Sequence, residues 1–173
     1  MILEIIQQLI DGDTDKIYEI SRIGQSVSIT WGWHQNRESA FAFQVDSKMK
    51  LCGFAIFGSK VENWNYVVAK VYNNSRSLQH KETLKFKSRG STCPILLLFS
   101  KSLPIESNKL YHITTYVPAS GGTTYYGQDF KQVVDSEDPD EGSLKVSFSR
   151  SHHEAEHNSH TYWPVSALYF SKG

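Results

Sequence analysis

The 173-residue chain has little of what usually announces a function. It has two cysteines, Cys52 and Cys93, too few for a disulfide scaffold. Both lie in apolar, strand-like stretches, so they read as buried reduced thiols. It has no excess of either charge, since 18 Lys and Arg balance 18 Asp and Glu. A general nucleic-acid binder normally carries a basic surplus, so that class is not expected. No stretch approaches the roughly 20 apolar residues of a membrane span. The opening MILEIIQQLIDGD lacks a basic start, and Glu4 interrupts its apolar run, so it makes a poor secretion signal. These absences lead to the expectation of a cytoplasmic chain that contacts neither nucleic acid nor membrane. On that basis Asn73-Asn74-Ser75 is a chance match to a glycosylation sequon.

Signatures of catalysis are equally scarce. There is no glycine-rich phosphate loop and no Gly-x-Ser-x-Gly. The acidic stretch DSEDPDEG, residues 135–142, reads as an exposed loop rather than a paired-acid site. DGDTD, residues 11–15, begins like a calcium loop, but Lys16 stands where the loop glycine belongs and Arg22 where the closing glutamate belongs. No metal and no cofactor are expected.

What is present is period-2 patterning. A single short helix is expected at the start, where Ile2, Ile5, Ile6, Leu9 and Ile10 form one apolar stripe. Beyond it the runs AFAFQV, LCGFAIFG, NYVVAKVY, PILLLF, LYHITTYV, LKVSFS and ALYF read as strands. Phe41, Phe43 and Val45 face one way; Cys52, Phe54 and Ile56 alternate with Gly53, Ala55 and Phe57 in a strand apolar on both faces. Gly58-Ser59, Asn73-Asn74, Arg89-Gly90, Gly121-Gly122 and Glu141-Gly142 are the turn signals between them. Short strands at this spacing predict an all-β fold, an antiparallel β-sandwich or barrel, and the expectation taken forward is the sandwich with a short N-terminal helix. The expected division is an amphipathic helix and linker over residues 1–16 and the sandwich over 17–173.

One segment does resemble an active site. SHHEAEHNSH, residues 151–160, contains His153-Glu154-Ala155-Glu156-His157, a formal match to the H-E-x-x-H zinc-hydrolase pattern, with His160 nearby. That chemistry needs a helix to set both histidines on one face. Here strand-like runs flank the segment, and only Ala155 is apolar within it. It therefore reads as a solvated polar loop, ahead of adventitious metal binding by His153, His157 and His160 and of a catalytic zinc. Its histidines and glutamates change charge between about pH 5 and 7, which would make a partner contact pH-sensitive. His112, inside a strand pattern, reads as a hydrogen-bonded structural histidine.

Aromatic residues are plentiful, 22 of 173. Trp31, Trp33, Trp64, Tyr125, Tyr126, Tyr162 and Trp163 fall at or near expected turns. Packing at the sandwich rim accounts for them; a contact patch is the sharper reading, because Trp and Tyr are enriched at interface hot spots.

The order of these pieces resembles the PHR domain, found in the PAM/Highwire family of ubiquitin ligases and at the C-terminus of BTB-BACK ubiquitin-ligase adaptors. The matching pieces are Trp31-Gly32-Trp33, then AFAFQVDSKMKLCGFAIFGS with Asp46, Gly53 and Gly58 in place, YVVAKVY, LLLFSKSLPIESNKLYHITTYVPASGG, TTYYGQ and GSLKVSFSRS. The resemblance runs over residues 18–170. It departs at HNSHTYWPVSALYF, where the family's N-G-T loop is absent and Pro164 is displaced by one position. The resemblance implies a PHR-like sandwich without catalysis that recognises a protein partner or client for a ubiquitin-ligase assembly. Trp33, Tyr125, Tyr126, His153, His157 and Trp163 are the partner-binding candidates. Ile2, Ile5 and Leu9 would pack on a preceding BTB- or BACK-type domain. A sandwich that binds a carbohydrate or another small ligand through exposed aromatics is the alternative, and a zinc-dependent hydrolase the remaining one.

Overall fold

The computed structural model describes residues 16–32, 38–118, 123–138, 142–153 and 164–172, with backbone alone for 24–32, 123–124, 126–130 and 137–138. The expected N-terminal helix and the 11–15 stretch lie outside them. Among the described residues there are twelve strands and no helix. In chain order they are β1 (Ile17–Ser21), β2 (Ile23–Gly32), β3 (Ser39–Val45), β4 (Met49–Ile56), β5 (Asn63–Asn73) and β6 (Leu78–Ser88). Then follow β7 (Ile95–Ile105), β8 (Leu110–Tyr116), β9 (Thr123–Phe130), β10 (Val133–Asp138), β11 (Gly142–Ser149) and β12 (Val165–Ser171).

All pairings are antiparallel. One sheet has the order β1-β12-β4-β7, a second β10-β11-β3-β8-β5-β6, and β2 pairs with β9 in a third. The first two face each other across one core. Alternation explains why. Phe41, Phe43 and Val45 of β3, Val67, Ala69 and Val71 of β5, and Leu144, Val146 and Phe148 of β11 point inward from the larger sheet. Ile20, Leu51, Phe54, Ile56, Leu168 and Phe170 meet them from the smaller one. Phe43 and Phe170, from opposite sheets, have ring centroids 5.9 Å apart.

Strand β4 is apolar on both faces, as its sequence indicates, but its facing is not a simple alternation. Opposite β12, Leu51 pairs with Phe170 and Gly53 with Tyr169, so Cys52 is an extra residue. This bulge reverses the parity. Leu51, Phe54 and Ile56 enter the main core, while Cys52 packs with Ala55, Ala167 and Tyr169 on the other face. The expected grouping of Cys52 with Phe54 and Ile56 is thus corrected. The two thiols are also less buried than expected. Cys52 is half-buried, its Sγ 3.4 Å from Ser171 Oγ, and Cys93 is exposed in the turn before Pro94, where its N–H donates to Ser91 Oγ. Part of the acidic stretch is likewise strand: residues 135–138 pair with β11 in β10.

The β3–β4 turn is held by one carboxylate. Asp46 Oδ1 accepts from Lys145 N–H at 3.1 Å and from Ser47 Oγ at 3.0 Å, while its carbonyl accepts from Ser107 Oγ at 2.8 Å. Arg22 is fully buried between β1 and β2, its guanidinium 3.9 Å from the Phe41 ring centroid. No helix among the described residues is long and apolar enough to cross a membrane.

Candidate functional site

Residues 151–153, the start of the histidine-rich segment, follow β11 and lie on the outer face of the six-stranded sheet. That placement follows from parity. On β8, Tyr111 and Ile113 enter the core, so His112 and Thr114 project to the opposite face. There His112 sits opposite Tyr72 of β5 and Ala42 of β3, whose small side chain leaves room above the sheet. Residues 151–153 turn over this spot. The centroids of the His112 and His152 rings are 4.0 Å apart, and those of His152 and His153 are 4.4 Å apart. His153 stacks on Tyr72 at 4.2 Å.

Burial keeps the His112 imidazole neutral near pH 7, and its hydrogen bonds suit that state. Its Nε2 lies 3.4 Å from Asn74 Oδ1, which only accepts, so Nε2 carries the proton. Nδ1 is then the acceptor for Ser151 Oγ–H at 2.8 Å. Ser151 Oγ in turn accepts from His153 N–H at 3.1 Å, tying the turn to the sheet. Burial, then the neighbouring His152, His153 and Arg76, push the His112 imidazole down to about 4. Burial and His152 also lower His153, which Glu38 partly offsets. For these two residues the acid transition therefore lies below the ordinary histidine range, lower than the sequence alone suggests. As expected, His112 is a satisfied structural histidine.

The same outer face continues along β5 and β6. Its β5 row is Trp64, Tyr66, Val68, Lys70 and Tyr72; its β6 row is Lys87, Lys85, Thr83 and Lys81, each directly opposite its partner. Trp64 is 60% exposed and Tyr66 49%. Lys70 pairs with Glu38, and Lys87 with Glu62 at 2.7 Å.

Of the sequence-derived candidates, His153 lies in the cluster just described. Tyr125 is 9% exposed, its ring part of the core, its hydroxyl 3.4 Å from Gly90 O and its N–H donating to Gly58 O. It supports the scaffold rather than an accessible patch. Tyr126 pairs through its backbone with Val27. Trp33, His157, His160 and Trp163 lie outside the described residues, as does the H-E-x-x-H segment beyond His153. Among the described residues, no three His, Cys, Asp or Glu side chains converge as metal ligands.

Trp64 is the second residue of β5 and Trp31 the last but one of β2, both near strand ends, while Tyr125 and Tyr126 fall within β9. Tyr66, Tyr72 and the β6 lysines were not singled out from the sequence. Parity would have found the β5 residues: Trp64 and Tyr66 share it with Lys70, against the buried Val67, Ala69 and Val71.

On the opposite side of the molecule, a cleft of about 370 Å³ opens between β1, β12, β4 and the start of β7. Ile23, Phe57 and Leu96 line it, with Ser21, Glu19 and Tyr169 as polar groups. Burial and the Glu19 carboxylate, to which it donates, push the Tyr169 hydroxyl up.

The family model described as the PHR domain matches residues 21–162 of this chain. No curated protein matches it. Among solved structures, a chain of the infectious bursal disease virus Gt strain is similar at 11% identity and a TM-score of 0.38. The alignment covers 92% of this chain and 38% of the viral one.

Proposed function

Because the chain belongs to the PHR domain family, we propose that it is a non-catalytic protein-recognition module that presents a client or partner to a ubiquitin-ligase assembly in the cytoplasm. The family match carries this reading. The fold suits it, since a closed core leaves outer faces and loops free to vary without unfolding the domain. The candidate contacts are the histidine-rich turn and the residues beyond it, His153, His157 and Trp163, together with Trp33 and Tyr126. A BTB- or BACK-type neighbour would seat on Ile2, Ile5 and Leu9.

The test is affinity capture from cell extract with protein identification, using the whole chain and a variant with Ala at His153, His157 and Trp163. Recovery of ubiquitin-ligase components or one dominant client, lost in the variant, is the expected result. If neither form recovers a ligase component or a reproducible client, the reading fails.

The cleft between β1, β12 and β4 favours a second reading, a small-ligand site. Its apolar wall beside the Glu19–Tyr169 pair suits a compact ligand with one hydrogen-bonding end. A fragment or glycan screen that yields no saturable binder sensitive to Y169F would remove it.

A further inference from the structure

We propose that the outer face of the β5–β6 hairpin docks an acidic, extended segment of a partner protein. Lys81, Lys85 and Lys87 would meet its carboxylates, and Trp64 and Tyr66 would supply the apolar contact. The inference rests on the recognition reading above and adds a surface and the partner's chemistry.

Three observations carry it. The first is exposure. Trp64 and Tyr66 are among the exposed large hydrophobic residues, one pair apart on the same strand face. Large aromatics left in water beside one another are unusual unless something covers them. The second is charge. Four lysines, Lys70, Lys81, Lys85 and Lys87, stand on this face against the carboxylates Glu38 and Glu62, in a chain whose net charge is zero. Among the described residues no ion pair engages Lys81 or Lys85. The Lys87–Glu62 pair is exposed, and such pairs exchange partners at little cost. The third is spacing. Lys85 and Lys87 alternate along one strand, roughly 7 Å apart, as do same-side residues of an extended peptide. A segment with acidic residues at every second position matches that row.

Edge strands often carry lysine to discourage pairing with another sheet, and β6 ends its sheet. That role accounts for the lysines but not for the rings beside them. The rings also select the partner. Lys85 Nζ sits 4.6 Å from the Trp64 ring centroid and 5.9 Å from that of Tyr66. The ammonium lies over one face of the Trp64 ring, where it competes with the stacking of a nucleobase or a sugar. It offers a carboxylate a cation held in place by aromatic contact.

The probe is a fluorescein-labelled peptide, Glu-Ser-Glu-Phe-Glu-Ser-Glu, titrated with the full chain and read by anisotropy at low and moderate salt. Binding should weaken with salt, by at least about tenfold in K85E/K87E and several-fold in W64S/Y66S. It should change little in K48E/K131E, which makes the same net-charge change at exposed sites elsewhere. A shift of the Trp64 indole N–H signal on adding peptide to the unmodified chain locates the contact even if a variant folds poorly. The proposal is overturned by absent binding, by equal loss in K48E/K131E, or by an eight-residue oligothymidylate that binds more tightly than the peptide. Self-association of the chain that K85E/K87E abolishes would also overturn it, since a second copy would then be the occupant. Failure here is separable from failure of the recognition reading. If affinity capture recovers ligase components equally with K85E/K87E, this surface is wrong and the reading stands. If peptide binding depends on Lys85 and Lys87 while capture recovers none, the surface stands and the reading falls.

Discussion

A β-carbon at Gly53 would overlap the Leu97 carbonyl oxygen and lie 2.9 Å from Leu98 Cα, so β4 and β7 approach too closely for any side chain there. This gives a physical reason for the glycine of the family pattern at this position. G53A is expected to cost roughly 1–3 kcal/mol by forcing the strands apart; an unchanged urea midpoint would contradict the close approach. His112 makes the second prediction at this scale. Its unfolded value is near 6.5 and its folded value about 4. Between these the unfolded chain holds the extra proton, so stability falls as pH drops from about 6.5 to about 4 and is flat in this term above 6.5. The slope from one proton is at most about 1.4 kcal/mol per pH unit. H112Q should flatten the stability profile between pH 4.5 and 6.5 while lowering stability at pH 7.5, where the Ser151 and Asn74 bonds are weakened. Parallel profiles for the two proteins would show that the acid sensitivity arises elsewhere.

Among the elements, the β3–β4 turn tests how one carboxylate joins three strands. Asp46 accepts from Lys145 N–H of β11 and from Ser47 Oγ. D46A should lose roughly 1–2 kcal/mol, with β11 amides near Lys145 exchanging faster with deuterium than in the intact chain. No change in exchange there would mean that the pairing of β3 with β11 suffices. The strands β3, β5, β8 and β11 were legible because each alternates apolar and polar residues over one buried face. Strand β10 was not, because its acidic stretch reads as an exposed loop and β11 is its only pairing partner among the described residues. The facing of Cys52 was not legible either: a bulge is a mismatch between two strands, and β4 alone carries no sign of it.

Across the whole molecule, β12 pairs with both β1 and β4, so the last strand closes the smaller sheet between the first strand and its interior. Deleting residues 165–173 removes Leu168 and Phe170 from the core and leaves β1 without a partner. The truncated chain should lack a cooperative thermal transition; a normal one would show that the larger sheet folds without its cover. F43A is expected to cost about 3–5 kcal/mol. Because Phe43 touches Phe170 across the sandwich, its effect should be non-additive with F170A in a double-mutant cycle.

Fold class and membership were readable along the chain because both rest on local order: alternation, turn residues, and the succession Phe41, Phe43, Asp46, Gly53, Gly58. The candidate surfaces were not. His112, Tyr72 and His153 are remote in the chain and meet only because β8 pairs with β5 while the end of β11 turns back over them. Trp64 and Lys85 likewise become neighbours through cross-strand register. Patterning along a strand says which side chains share a face; pairing between strands sets which faces adjoin, and so where rings and charges gather.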